Sequence, residues 1–178
     1  PALSAWLTGY ELQLSDIMDR NLAATPEISA SWKSLTDYQP GETAQRDLRS
    51  VEPLLPSTWD QGSRYNALCP VDGAGPGGHV YAGCVATAMS QVIYYWRYPL
   101  QGTGSHGYYS DYGYLFVDFS QAGYDYDQMR NAIGPESNYE MAEIQYHCGV
   151  AVDMMYAPDG SGAYSFDAAS ALREHFGY

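Results

Sequence analysis

The chain has 178 residues and 46% hydrophobic side chains, enough for one ordinary domain with a core or for one lobe of a larger enzyme. A formal net charge of -13, from 21 acidic and 8 basic residues with Lys33 as the one lysine, leaves no cationic surface to hold phosphate backbones or anionic headgroups. Nucleic acid and membrane are therefore not expected partners, and no run of about 18 apolar residues occurs that could span a bilayer.

In chain order, the first expected element is an amphipathic helix over residues 2–22, because Leu3, Leu7, Tyr10, Leu14, Ile17 and Met18 recur at spacings of three and four. Its start, "PALSAWLTGYELQL", lacks the basic n-region of a signal peptide, so any export signal is expected to have been removed upstream. Residues 25–49 turn polar and irregular around Pro26 and "YQPGETAQRDLR", which predicts a linker or draped loop and a boundary near residue 50. "VEPLLPSTWDQGSRYNALCPV" mixes Pro, Gly and Asn with apolar residues, and "DGAGPGGH" is a loop of turn chemistry leading to Cys84.

From Val85 the residues Val85, Ala88, Met89, Val92, Ile93 and Trp96 form one helical stripe, closed by Pro99, so a helix is expected over residues 84–96. The Tyr- and Gly-rich "GTGSHGYYSDYGYLFVDFSQAGYDYD" predicts short strands and loops. Ser137 and Glu140 have capping-box spacing ahead of Met141, Ile144, Gln145 and Cys148, which predicts a buried helix capped near Gly149. "VAVDMMYAP" reads as a strand, "DGSGAYS" as a loop, and Phe166, Ala169, Leu172 and Phe176 as a last helix ended by Gly177. The expected class is α+β, dominated by helices.

Cys69, Cys84 and Cys148 make an odd count without CxxC spacing, so neither a disulfide framework nor a structural zinc site is expected, and no cofactor is implied. Cys69 and Cys148 read as small buried hydrophobes. Cys84 differs in standing where a helix begins: the unpaired N–H groups and positive dipole end of a first helical turn favour a thiolate. Gly83 lets a substrate carbonyl approach the backbone, where the Cys84 and Val85 N–H groups can face an oxyanion. Nucleophilic acyl transfer is the chemistry this placement serves. Gln61, 23 positions earlier in the turn "WDQGSRYN", offers a side-chain amide as a second oxyanion donor. "GAGPGGH" is not a phosphate loop, since no Lys-Ser/Thr follows it, and "DYDQ" lacks the oxygen series of an EF-hand.

Taken together, "WDQGSRYNALCPV", "AGCVATAMSQVIYYWRYP", "YHCGVAVDMMYAPDGSGAY" and "ALREHFGY", in this order and spacing, resemble the streptopain family of papain-fold cysteine peptidases over about residues 51–178. The resemblance implies Cys84 as nucleophile, Gln61 in the oxyanion hole, and Gly160, Ser161, Gly162 and Ala163 in the wall that receives an apolar P2 side chain. It also implies that residues 1–50 are the tail of an inhibitory prosegment with its linker, and that residues 51–178 are the first, mainly helical lobe of a secreted endopeptidase acting on proteins or peptides. The family takes its general base from a downstream "GGHA"-like motif with a tryptophan-rich stretch, and neither is present in this sequence. His79 matches a family histidine that is not the base; His106, His147 and His175 read as structural or solvated. A C-terminal lobe carrying the histidine is thus an expected partner, in the same protein or as a separate chain, and the 178-residue chain alone is expected to be inactive. A prosegment-like inhibitory or binding module and an inactive papain-fold homologue are the alternatives left open.

Overall fold

A computed structural model describes residues 14–15, 17–20, 23–37 and 53–178. The chain divides into two compact units, residues 1–51 and residues 52–178. Most of the helix expected over residues 2–22 lies outside the described residues; positions 14–15 and 17–19 of it are helical. Residues 25–49 differ from the expected linker in containing a helix, α1 (Pro26–Thr36). Pro26 stands in its first turn, where the missing N–H costs nothing, and Thr25 caps it by accepting a hydrogen bond from Ile28 N at 3.3 Å. Glu27 in the first turn and Lys33 in the last complement the helix dipole, and Lys33 pairs with Asp37 four residues on. The rest of the expected linker, residues 38–49, lies outside the described residues.

The second unit is built on three helices and a hairpin: α2 (Cys84–Trp96), β1 (Ser105–Ser110), β2 (Gly113–Asp118), α3 (Tyr139–Ala151) and α4 (Ser165–His175). The class is α+β, with one two-stranded antiparallel sheet among the described residues. Its strands pair from Ser105↔Asp118 to Ser110↔Gly113 around a two-residue turn, and Gly113 at φ +99° takes the backbone conformation that closes it. Along β2, Leu115 and Val117 face the core while Tyr114 and Phe116 face outward, the period-two alternation of a sheet with one covered side.

The helix α3 is the centre of this unit. Met141, Ala142, Ile144, Gln145, Cys148, Gly149 and Val150 are all buried, leaving no single apolar stripe, because α2, the hairpin and α4 all pack around it. Its cap is Asn138, whose Oδ1 accepts from Met141 N at 2.9 Å, rather than the expected Ser137. The helix also continues past Gly149 to Ala151, with Val152 as its C-cap, so the first residues of "VAVDMMYAP" are helical and not a strand. Of that segment only Met155 pairs, in an isolated antiparallel bridge to Gly162. Gly149 is required inside α3 by close packing, since a Cβ there would lie 2.2 Å from Tyr156 Oη.

The core face of α2 is Ala86, Met89, Ser90 and Ile93, with Thr87 also buried, a set rotated from the expected stripe. Trp96 is 63% exposed and Ala88 lies on the opposite side, because α3 covers one face of α2 while the other lines a cleft. In α4 the buried residues are Ala171 and His175, while Phe166 points outward and Phe176, just past the helix, is fully buried.

Candidate active site

The exposed face of α2 begins with the thiol. Cys84 is the first residue of the helix and Gly83 its N-cap, at φ +94°. A side chain at position 83 would meet Met154 Sδ at 2.5 Å and Cε at 2.6 Å, so glycine is demanded by conformation and by space together. This keeps the chain flat where it delivers Cys84 to the surface.

Cys84, Ala88 and Gln91, at spacings of four and three, line a cleft of about 380 Å³ together with Thr58, Trp59, Asp60, Gln61 and Thr87. Gln61 and Cys84 are thus brought to the same cavity. The Gln61 turn is an Asx turn, in which Asp60 Oδ1 accepts from the N–H groups of Gln61 and Gly62. The Gln61 carbonyl accepts from Ala82 N at 2.9 Å, two residues ahead of Cys84. Upstream, Gln91 Oε1 accepts from Ser57 Oγ at 2.9 Å and from Trp59 N at 3.3 Å, fastening the approaching strand to the cysteine helix.

The 159–163 segment approaches from the other side. Met155 and Gly162 exchange backbone hydrogen bonds of 2.9 and 3.2 Å, and Ser161 Oγ accepts from Ala157 N at 3.1 Å while donating to Ala157 O at 3.3 Å. These bonds close the loop below its tip. Ser161 is buried, and its Cβ would lie 3.4 Å from a side chain at position 83, so the loop base packs beside the residue that precedes Cys84. Ala163 packs partly against the core, whereas Gly160, at φ +154°, has no neighbour within 4 Å of its Cβ position. None of residues 160–163 lines the cleft shared by Cys84 and Gln61.

No histidine lines that cleft either. His79 donates from Nδ1 to Cys69 O at 2.7 Å, and His175 from Nδ1 to Thr103 O at 3.1 Å while stacking on Phe119. His106 Nε2 pairs with Asp153 Oδ1 at 2.7 Å on the surface. His147 is partly buried beside Tyr124, and desolvation pushes its pKa down to about 4, which keeps the ring neutral. The signals that sequence reading left unused are the four-and-three spacing of Cys84, Ala88 and Gln91, and the Asp60 side chain as the clamp on its own turn.

The three thiols are unequal. Cys84 is exposed, while Cys69 and Cys148 are buried. Burial pushes the Cys69 thiol up to about 12, and the Cys148 thiol is raised by the same cause. An aromatic disulfide reagent should therefore titrate one thiol per folded chain and three in strong denaturant. Two fast-reacting thiols in the folded protein would contradict the burial of Cys69 or Cys148.

Comparison with known proteins identifies the family and the fold. Residues 59–178 match the Peptidase C10 family. The chain is 30% identical to the thiol protease/hemagglutinin PrtT of Porphyromonas gingivalis, over 99% of this chain and 21% of that protein. It is 32% identical to streptopain of Streptococcus pyogenes over 76% of this chain and 40% of that one. Among solved structures, active interpain A of Prevotella intermedia superposes with a TM-score of 0.64 at 38% identity, covering 71% of this chain and 55% of that chain. A prointerpain A fragment superposes at 0.66 and 30% identity, covering 99% and 55%. The chain spans less than half the length of these curated relatives. The α+β architecture is that of a papain-like cysteine protease. With the match running unbroken from Trp59 to Tyr178, through both the Gln61 turn and the Cys84 helix, this chain belongs to the Peptidase C10, or streptopain, family of cysteine peptidases.

Proposed function

We propose that this chain is the nucleophile-bearing lobe of a secreted cysteine endopeptidase, in which Cys84 attacks the scissile carbonyl of protein substrates. The observation that carries the reading is the exposed Cys84 thiol at the first residue of α2, in one cleft with Gln61. The thiolate forms a thioester and expels the amine; water then releases the acid. The N–H groups at the start of α2 and the Gln61 amide stabilise the oxyanion in both steps. Residues 160–163, of which Ser161 packs beside Gly83, form the wall of an apolar P2 site. Residues 1–50 act as the tail of a prosegment.

Proton transfer needs an imidazole within about 4 Å of the sulfur, and no histidine of this chain lines the cleft. In this proposal a downstream lobe supplies it, in keeping with the 55% share of the interpain A chain that the present residues cover. The test compares the 178-residue chain with the full-length protein on fluorogenic peptides that vary only at P2. The full-length protein should prefer Val, Ile or Phe over Asp or Lys at P2 by about tenfold or more in kcat/KM, and the 178-residue chain should be inert. Hydrolysis by the 178-residue chain that is lost on His79→Ala would place the base inside this sequence. A folded full-length protein that cleaves no peptide even after removal of its prosegment would end the peptidase reading.

A further inference from the structure

Among the described residues Gln145 is the one glutamine with no exposed surface, on the central helix α3, and both ends of its amide are used. Its Oε1 accepts from Thr87 Oγ1 at 2.9 Å, and its Nε2 donates to the Asp60 carbonyl at 3.0 Å. The orientation of the amide is unambiguous, because a carbonyl can only accept. Thr87 stands three residues after Cys84 on α2, and its N–H bonds the Gly83 carbonyl at 3.0 Å. The Asp60 carbonyl belongs to the peptide group whose N–H is that of Gln61.

That peptide group is therefore gripped on both edges: its N–H by Asp60 Oδ1 and its C=O by Gln145. The next peptide group is held through the Gln61 carbonyl by Ala82 N. With the planes on both sides fixed, the direction of the Gln61 side chain from its Cα is fixed as well. Gln145 is the link in this set that also reaches the cysteine helix by way of Thr87, so it joins the two strands of chain that meet at the cleft. A buried amide serving only the core could be replaced by apolar packing at little cost, provided its partners were replaced too; here one partner is a main-chain carbonyl of the Gln61 turn, which no substitution removes.

We infer that Gln145 is a positioning residue for catalysis, setting the distance and angle between the Gln61 amide and the Cys84 sulfur through hydrogen bonds to Asp60 O and Thr87 Oγ1. This rests on the peptidase reading above. Its consequence is selective: steps that build charge on a carbonyl oxygen depend on Gln145, and reactions of the thiolate that build none do not.

The test uses Gln145→Met and Thr87→Val in the full-length enzyme, with three measurements on each: peptide kcat and KM, inhibition by a peptide aldehyde, and the rate of Cys84 alkylation by iodoacetamide. Thiol addition to the aldehyde leaves an oxygen in the oxyanion position, whereas alkylation displaces iodide at a saturated carbon. For Gln145→Met, kcat should fall about tenfold with KM changed less than about twofold, and aldehyde binding should weaken by a similar factor. Alkylation should stay within about twofold of the parent, and Thr87→Val should show the same pattern at about threefold. In a Gln61→Ala background, Gln145→Met should cost less than about twofold more, because the group it positions is gone. Equal losses in alkylation and aldehyde binding would mark a general loosening of the fold and overturn the inference, as would folded variants with parental kcat. If Gln145→Met fails to fold, Thr87→Val decides by the same criteria. A prosegment-free enzyme inert to peptides before any substitution removes the peptidase reading and this inference together, whereas an active enzyme indifferent to both variants removes the inference alone.

Discussion

Cys84→Ala is expected to remove peptide hydrolysis by the full-length enzyme, lowering kcat by on the order of 10⁴-fold or more. Alanine keeps the backbone N–H groups at the start of α2, and the side chain lost is exposed, so the protein should remain folded. What disappears is the atom proposed to form the thioester, and neither of the other two thiols of this chain can take its place. Cys69 and Cys148 are buried, with their thiols held protonated. Cys148→Ala is the matched control: it opens a small cavity in α3 and should cost on the order of 1 kcal/mol of stability while sparing kcat. Initial rates and thermal melts of both variants provide the check. Substantial turnover by Cys84→Ala would assign the chemistry to another group.

The next largest effect is expected at Gln61. Removing one oxyanion donor costs about 2.7–4 kcal/mol of transition-state stabilisation, so Gln61→Ala should lower kcat by about 10²- to 10³-fold. KM should move little, because in the proposed mechanism the donor serves an oxygen that carries full charge only after attack. The backbone of the turn should survive, since Asp60 Oδ1, Gln145 and Ala82 N hold main-chain atoms that alanine retains. Steady-state kinetics with circular dichroism on the same sample would settle it, and an unchanged kcat in folded protein would take Gln61 out of the reaction.

The helix at Cys84 was readable in sequence because a glycine, an apolar repeat and a proline mark its start, body and end within one short stretch. Which of its faces points inward was not, since α2 is covered by α3 on one side and bounds a cleft on the other, and alanines serve both. The helix at Pro26 was missed because proline breaks a helix interior but favours a first turn, and only Thr25 distinguishes the two cases. The strand expected in "VAVDMMYAP" failed for a different reason. A helix buried on most sides loses the polar face that would show its period, so the apolar run at its end looks like a buried strand. At the site, Gln61 and Cys84 were both singled out, yet the glutamine that links them was counted with the apolar face of α3. Its function lies in hydrogen bonds to distant chain, and periodicity carries no trace of those.

The closure of the 157–161 loop by Ser161 has a consequence for how such a protein can change over time. The bonds that hold the loop to the body sit at its base, on Ala157, Ser161, Met155 and Gly162, while a side chain at Gly160 would find nothing within 4 Å of its Cβ. Insertions, deletions and new side chains at the tip fall on a segment that supports neither the core nor the cysteine helix. On the proposed assignment of residues 160–163 to the P2 wall, substrate preference and the proposed chemistry at Cys84 are thereby uncoupled. If that assignment holds, a lineage can drift toward new protein targets by rewriting about three residues, with the helix that carries Cys84 inherited intact.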